Sequence, residues 1–261
     1  MTLVRAEWAV LLRRRSAHAV LALSGVLPLA VVAIFYALGA DDATLQFNGK
    51  PVSEIVDLTA ANAATAALGV RNAVVMPVLF LLLAGQVMAG ERSSHVLREQ
   101  LVRPVDRGRV LWSKVAAVWG LGAIGLAMHA AVTLGLGAAV LDAGDGWLTV
   151  MAGHAASMVS DVALIVFGFF LACHLQSSVG VMAVGMGMMI VDWVFRIGLS
   201  GLRFVGVESA GWALALMPGT GLGWYDMDAA SVAVPALAGL CAWAGVMAAL
   251  AHSRIRRMDV H

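Results

Sequence analysis

Six apolar runs constrain the fold of this chain more than any other feature. They cover residues 17–38, 72–89, 115–141, 147–173, 179–199 and 231–251. A helix of about 20 largely apolar residues crosses the hydrocarbon layer of a bilayer, where the backbone must satisfy its own hydrogen bonds. The sequence therefore predicts an all-α membrane protein with six transmembrane helices, in a single transmembrane domain over residues 1–261.

Composition excludes the main alternative classes. The 261 residues are 61% hydrophobic and 13% charged, whereas soluble domains are about 25% charged. The net charge of +1 lacks the basic surplus of a nucleic-acid binder. Cys173 and Cys241 lie far apart in apolar runs, which favours neither a disulfide framework nor a metal-binding cysteine pair.

The basic residues predict how the helices are oriented, because cytoplasmic loops carry an excess of lysine and arginine. With six crossings, both termini lie on one side of the membrane. That side holds 13 of the 17 basic residues: Arg5, Arg13, Arg14, Arg15, Arg92, Arg98, Arg103, Arg107, Arg109, Lys114, Arg254, Arg256 and Arg257. We therefore expect both termini to be cytoplasmic.

Residues 1–16 precede the first run and place Val4, Trp8 and Leu11 at helical spacing among basic side chains. This pattern predicts a short amphipathic helix lying along the membrane interface, with an unstructured basic leader as the alternative. The first run is longer than the roughly 7–15 apolar residues of a cleavable signal, so we expect it to be retained as a span.

Two outer segments are more than simple connections. Residues 39–71 contain one turn signal, Asn48-Gly-Lys-Pro51, and then a stretch from Ser53 that can extend the second helix outward. Residues 200–230 contain a short apolar stretch, a break that begins at Pro218, and aromatic residues on both sides of it. We expect a re-entrant hairpin before the last span, with an ordinary outer loop as the alternative.

The inner segment between the second and third runs is the most informative. It is Gly90-Glu-Arg-Ser-Ser-His-Val-Leu-Arg-Glu-Gln-Leu-Val-Arg-Pro-Val-Asp-Arg-Gly-Arg109 and continues to Lys114. Ser93 or Ser94 can cap a helix that Pro104 must end. Leu97 and Leu101 share one face of it. The segment 91–114 is therefore predicted to hold a short amphipathic helix over 94–102 on the cytoplasmic side.

This ordered pattern resembles the permease subunits of ABC-2 type transporters. In that family the second span ends in a Gly-Glu-Arg-like sequence, followed by a short coupling helix, an Arg-Pro-x-x-Arg-Gly/Arg turn and a lysine that opens the third span. The matching residues here are Gly90, Glu91, Arg92, Arg103, Pro104, Arg107, Gly108, Arg109 and Lys114. His95-Val96 stands where many members carry Gly-Thr. The six spans, the N-terminal interfacial helix and the hairpin also look like that family, so the resemblance covers essentially the whole chain.

The resemblance implies the permease subunit of an ATP-driven exporter, which couples ATP hydrolysis to substrate movement or mechanical work. The sequence has no GxxxxGK phosphate-binding loop. We therefore expect no catalysis, cofactor or metal in this chain, an ABC ATPase as a separate subunit, and a second permease copy, as in a homodimer. The bacterial cytoplasmic membrane is the implied location. The residues implied to couple to the ATPase are Glu91, Arg92, Ser94, Leu97, Arg98, Leu101, Arg103, Arg107 and Arg109.

Three ionisable residues inside the runs are candidates for a substrate path or an intramembrane ion pair, because charges in lipid are costly and face a partner or a cavity. Asp192 and Arg196 are four residues apart, so they share a helix face and can pair. Asp161 lies near the middle of the fourth run. The sequence does not decide whether Asp161 contacts the helix of Asp192 or a polar cavity.

Other functions fit the sequence less well. An ion-coupled secondary transporter would use Asp161 and Asp192, but the two halves of the chain show no convincing similarity. A membrane haem or metal protein would use His129 and His154, but helical rise predicts a mismatch of about 8 Å in their depths. An intramembrane serine protease would use Gly198-Leu-Ser-Gly201, which lacks the GxSxG pattern.

Overall fold

The computed structural model of the protein is helical over most of the chain that it describes. The described residues are 3–40, 46–47, 50–51, 57–94, 106–205 and 230–257, with single positions at 209, 213 and 217. Its main helices are α1 (Leu3–Leu11), α2 (Arg15–Ala40), α3 (Ala60–Ser93), α4 (Arg107–Val140), α5 (Trp147–His174), α6 (Ser178–Phe204) and α7 (Ala230–Arg256). Two short strands, β1 (Gln46–Phe47) and β2 (Lys50–Pro51), pair antiparallel on either side of Asn48-Gly49.

Six of these helices, α2 to α7, are long and apolar enough to cross a membrane, which confirms the prediction of six spanning helices. The protein is therefore a multi-pass helical membrane protein by the length and composition of its helices. α3 extends beyond the N-terminal end of the second run and begins at Ala60, after Thr59, whose side chain accepts a hydrogen bond from the Asn62 N–H. Arg71, assigned above to the outer segment, consequently lies inside a spanning helix.

α5 is at the centre of the helix packing. It contacts α3, α4 and α7, and the Phe167 ring lies 4.9 Å from the Trp243 ring of α7. Gly168 lets α3 approach closely, because a Cβ there would lie 2.8 Å from the Ala84 Cβ. In the most apolar 18-residue stretch of each helix, 78% of the residues are buried in α5, 11% in α6 and 17% in α7. The outward-facing sides of α6 and α7 are therefore left uncovered by the residues that the structure describes.

Two spanning helices contain π-helical turns, which sequence periodicity did not predict. They occupy Arg71–Val75 and Gly85–Ala89 in α3 and Ala131–Leu136 in α4. A π-helical turn is wider than an α-helical turn and advances less along the axis, so it changes which residues face a neighbouring helix. Such turns frequently mark functional sites, and each of these three lies beside a polar cluster described below.

The predicted inner helix and outer hairpin fall mostly outside the described residues. Of the helix 94–102 only Ser94 is described, and its N–H donates to the Gly90 carbonyl at 3.1 Å. Leu97, Arg98, Leu101 and Arg103 lie outside the described part of the chain, as does most of 200–230.

The start of the third spanning helix differs from the prediction. Asp106 caps α4, because its Oδ1 accepts a hydrogen bond from the Gly108 N–H at 3.0 Å. Arg107, Gly108 and Arg109 thus form the first helical turn. The predicted turn at these residues is wrong, because the aspartate side chain starts the helix earlier than the first basic-to-apolar transition suggests.

Candidate functional site

Four charged side chains meet where α1, the α1–α2 turn, α3 and α4 come together. The Lys114 Nζ donates to Glu91 Oε2 at 2.6 Å and to Glu7 Oε1 and Oε2 at 3.0 and 2.9 Å. The Arg14 Nη2 donates to the other Glu91 oxygen, Oε1, at 2.6 Å. We call Glu7, Arg14, Glu91 and Lys114 the N-terminal ion cluster.

The N-terminal ion cluster is buried and balanced in charge. Lys114 has no exposed side-chain surface, and Glu7 and Glu91 have about a tenth or less. Two carboxylates oppose two cations, which is the arrangement that a buried charge requires. Removing any one member would leave the remaining buried charges unbalanced. The cluster therefore holds α1, α3 and α4 in one fixed arrangement.

The same cluster holds the π-helical turn Gly85–Ala89. The Arg14 Nη1 donates to the Gln86 carbonyl at 3.2 Å, and the Ser16 hydroxyl donates to Gln86 Oε1 at 2.6 Å. Arg14, in the turn before α2, thus binds the irregular backbone just before Glu91, and Ser16, at the start of α2, binds the Gln86 side chain. This part of α3 is positioned by long-range contacts and not by regular helical hydrogen bonds alone.

α1 docks on α4 through one face. Glu7 and Leu11 are buried, whereas Val4 and Val10 are exposed on other sides of the helix. Trp8 packs over Gly120, where a Cβ would lie 2.6 Å from the indole ring. The predicted N-terminal helix is therefore present, and part of its apolar surface remains uncovered.

The structure divides the sequence-predicted coupling residues into buried and accessible groups. Glu91 is buried in the ion cluster, and the half-buried Arg92 donates to the Cys173 carbonyl of α5 at 3.5 Å. The Arg107 Nη1 donates to the Arg256 carbonyl at 3.4 Å. Ser94 and Arg109 are exposed.

Lys114 was named above among the residues that match the ABC-2 pattern, as the lysine that opens the third span. In the structure it pairs within the chain with Glu7 and Glu91. The sequence analysis counted Arg14 among the basic residues but predicted no ion-pair partner for Arg14 or Glu7. Glu7 had a signal, since it is the sole acidic residue in the first 40.

A second polar cluster lies inside the helix bundle. The Arg71 guanidinium binds the Asp161 carboxylate through two hydrogen bonds, of 3.2 and 2.6 Å, and both residues are almost fully buried. Arg71 also donates to Asn72 Oδ1, and the Asn72 amide donates to the Ser157 hydroxyl, each at 2.7 Å. Asp161 thus contacts α3. The sequence analysis had considered the helix of Asp192 and a polar cavity as the two alternatives.

His129 and His154 are in direct contact in the same region. The His129 Nδ1 lies 3.3 Å from the His154 Nε2, and both residues are buried. The predicted depth mismatch is wrong. It assumed regular α-helical rise back from Leu141, and α4 departs from that regular rise in the π-helical turn Ala131–Leu136 next to His129.

The predicted pairing of Asp192 with Arg196 is confirmed, with an Nε–Oδ2 distance of 2.9 Å. Both residues are partly exposed on α6. Asp161 and Asp192 therefore each have a basic partner. Among the described residues there is no group of three or more His, Cys, Asp or Glu side chains that could hold a metal ion.

A family model described as "Protein of unknown function (DUF2705)" matches residues 29–261. The chain belongs to the DUF2705 family. The DUF2705 match includes Glu91, Lys114 and both buried polar contacts of α5, but it begins after Glu7 and Arg14. No curated protein matches the chain.

Proposed function

We propose that this DUF2705 protein is the permease subunit of an ABC-2 type ATP-driven exporter. In this proposal a separate ATPase subunit binds the inner segment 91–114, and this chain supplies the transmembrane path but no catalytic residue. It lies in the bacterial cytoplasmic membrane with both termini in the cytoplasm. The resemblance of Gly90–Arg92 and Arg103–Lys114 to that family supports the proposal, together with the six spanning helices.

The observation that carries the proposal is the 2.6 Å contact between Lys114 and Glu91. These residues lie at the two ends of the inner segment, 23 positions apart. Their pairing closes the segment into a loop anchored at both ends. A force applied to the tip of the loop by a partner would therefore reach α3 and α4 together.

The N-terminal ion cluster adds a third element to this lever. Glu7 attaches α1 to Lys114, and Arg14 attaches the start of α2 to Glu91. The ends of the first three spanning helices are consequently joined at one buried point. Movement of the inner segment would therefore tilt these three helices together. A transporter needs such a movement to open a path between its helices first to one side of the membrane and then to the other.

The ion pairs disfavour the alternative of an ion-coupled carrier. Such a carrier needs a carboxylate that can exchange its counter-ion during transport. Asp161 is bound on both oxygens by Arg71, and Asp192 is bound by Arg196. Each carboxylate thus has a cationic partner in the chain.

One face of α6 supports a second permease copy as the other partner. The residues of this face are spaced alternately four and three positions apart in the sequence. Helices that pack along a common seam have this spacing. Only glycine and valine occur in this face, and small residues let membrane helices approach closely. A Cβ at Gly187, Gly198 or Gly201 would meet open space. The face consists of Gly180, Val184, Gly187, Val191, Val194, Gly198 and Gly201.

Cysteine cross-linking tests this pairing in membranes. In a Cys241→Ser background, Val194→Cys is expected to form a disulfide-linked dimer. Trp193→Cys is the matched control, because it is exposed on a different side of the same helix. Equal cross-linking of both variants would contradict the assignment of the face.

Co-purification tests the main proposal. The detergent-solubilised protein is expected to bring down a soluble subunit that carries a phosphate-binding loop and hydrolyses ATP. Deletion of Ser94 to Val102 should abolish this, whereas deletion of the outer residues Asp42 to Leu45 should not. An unchanged yield of the ATPase after the inner deletion would refute the coupling role of the segment.

A further inference from the structure

The hydrogen-bond geometry around His129 and His154 limits where the protons of the neutral pair can lie. The His154 Nδ1 lies 2.9 Å from the Val150 carbonyl, which can only accept, so this nitrogen carries the proton and the His154 Nε2 is an acceptor. The His129 Nδ1 lies 3.3 Å from that acceptor, and a hydrogen bond between them requires the single proton of the neutral His129 ring. In that tautomer the His129 Nε2 carries no proton.

That last nitrogen is left unsatisfied. The His129 Nε2 is buried and has no hydrogen-bond partner within the described part of the chain. The backbone carbonyl of Ala67 is close to this ring but is itself an acceptor. An unsatisfied buried acceptor carries an energetic penalty, because it has lost its hydrogen bonds to water. This penalty would disappear if a metal cation took the place of the proton between the two rings, because the proton could then move to the His129 Nε2.

We propose that His129 and His154 bind a soft monovalent metal ion of the Cu(I) type, with His129 Nδ1 and His154 Nε2 as its ligands. The His129 proton then moves to Nε2, and no proton is released; the Ala67 carbonyl is the backbone acceptor close to this ring. His154 keeps its hydrogen bond to Val150. A metal-binding histidine typically donates its other ring N–H to a carbonyl in this way.

The separation of the two nitrogens suits a metal ion. With bonds of about 2.0 Å, two ligands that are 3.3 Å apart enclose an angle of about 110° at the metal. An increase of about 0.7 Å in the nitrogen separation would make the arrangement linear with those bonds. The neighbouring π-helical turn Ala131–Leu136 gives α4 a local irregularity that can accommodate this shift.

The charge of the ion follows from the surroundings. Both ligands are neutral, Arg71 is close enough to repel positive charge at both rings, and Asp161 is already bound by Arg71. The cost of burying an ion rises with the square of its charge, so a divalent ion is strongly disfavoured here. Imidazole is a good ligand for copper, and Cu(I) accepts two ligands.

Anaerobic titration of the purified full chain with Cu(I), in competition with bicinchoninate, tests the site. One ion per chain is expected, and both His129→Asn and His154→Asn should weaken its binding by at least tenfold. His18→Asn is the control, because His18 is exposed on α2. Gel filtration and thermal unfolding of each variant show whether it is folded. X-ray absorption of the bound copper is expected to show two nitrogen neighbours.

Three results would overturn the proposal. The first is absence of Cu(I) binding by the folded wild type. The second is equal affinity in the wild type and in a folded His129→Asn or His154→Asn variant. The third is a sulfur neighbour, which would place the ion at methionine or cysteine. The proposal is independent of the exporter assignment, because the titration involves neither ATP nor a partner protein.

Discussion

Replacing Asp161 by asparagine tests the energetic role of its pair with Arg71. The substitution keeps the size of the side chain but removes the charge that balances a guanidinium with no exposed surface. Leaving a buried charge without its partner typically costs about 3–5 kcal/mol. Asp161 accepts both of its hydrogen bonds from one side chain, at 3.2 and 2.6 Å. We therefore expect a loss at the upper end of this range.

The assay is the free energy of unfolding of the detergent-solubilised protein, followed by tryptophan fluorescence during denaturant titration. Asp145→Asn is the matched control. It makes the same chemical change at an exposed loop position, where substitutions usually alter stability by less than about 0.5 kcal/mol. The double variant Arg71→Met/Asp161→Leu should recover most of the loss, because it removes both charges.

Equal stability of Asp161→Asn and Asp145→Asn would refute this reasoning. So would a double variant that is destabilised by the sum of the two single losses, because it would show that the two side chains do not interact. In either case Asp161 would have to be considered free to act in a transport path.

Two further predictions concern packing at the helix contacts. Lys114→Met should leave Glu7 without its cation and Glu91 with Arg14 alone. It is therefore expected to release α1, which hydrogen exchange of residues 3–11 would detect as faster exchange; unchanged exchange would contradict the role of the cluster. Gly168→Ala should destabilise the protein by about 1–3 kcal/mol through overpacking, since its Cβ would lie 2.8 Å from the Ala84 Cβ. Gly135→Ala, which meets open space, is the control, and equal melting temperatures of these two variants would count against the close approach of α3 and α5.

Local features of the structure could be predicted from the sequence. The six spanning helices follow from the length of the apolar runs, because backbone hydrogen bonding in lipid leaves few alternatives. The pair of Asp192 and Arg196 follows from their four-residue spacing on one helix. In both cases the interacting groups are close in sequence, so the geometry of a single helix is sufficient.

Contacts between distant helices could not be predicted in the same way. Glu7 and Lys114 are 107 residues apart, and Arg71 and Asp161 are 90 apart. Which faces of two helices meet depends on their tilt, packing and irregular turns, and the sequence pattern does not give these quantities. Regular helical rise predicted that His129 and His154 lie at different depths, whereas their rings are in contact and α4 has a π-helical turn beside His129.

Site-specific photo-crosslinking gives the most direct test of the exporter account. A photo-reactive amino acid at Leu97, in the inner segment, is expected to form a covalent adduct in living cells with a protein that contains an ATP-binding loop. The same amino acid at Leu148, which is exposed at the start of α5, should form no such adduct. An ATPase adduct from Leu148, or none from Leu97 while the protein is folded and inserted, would contradict the account.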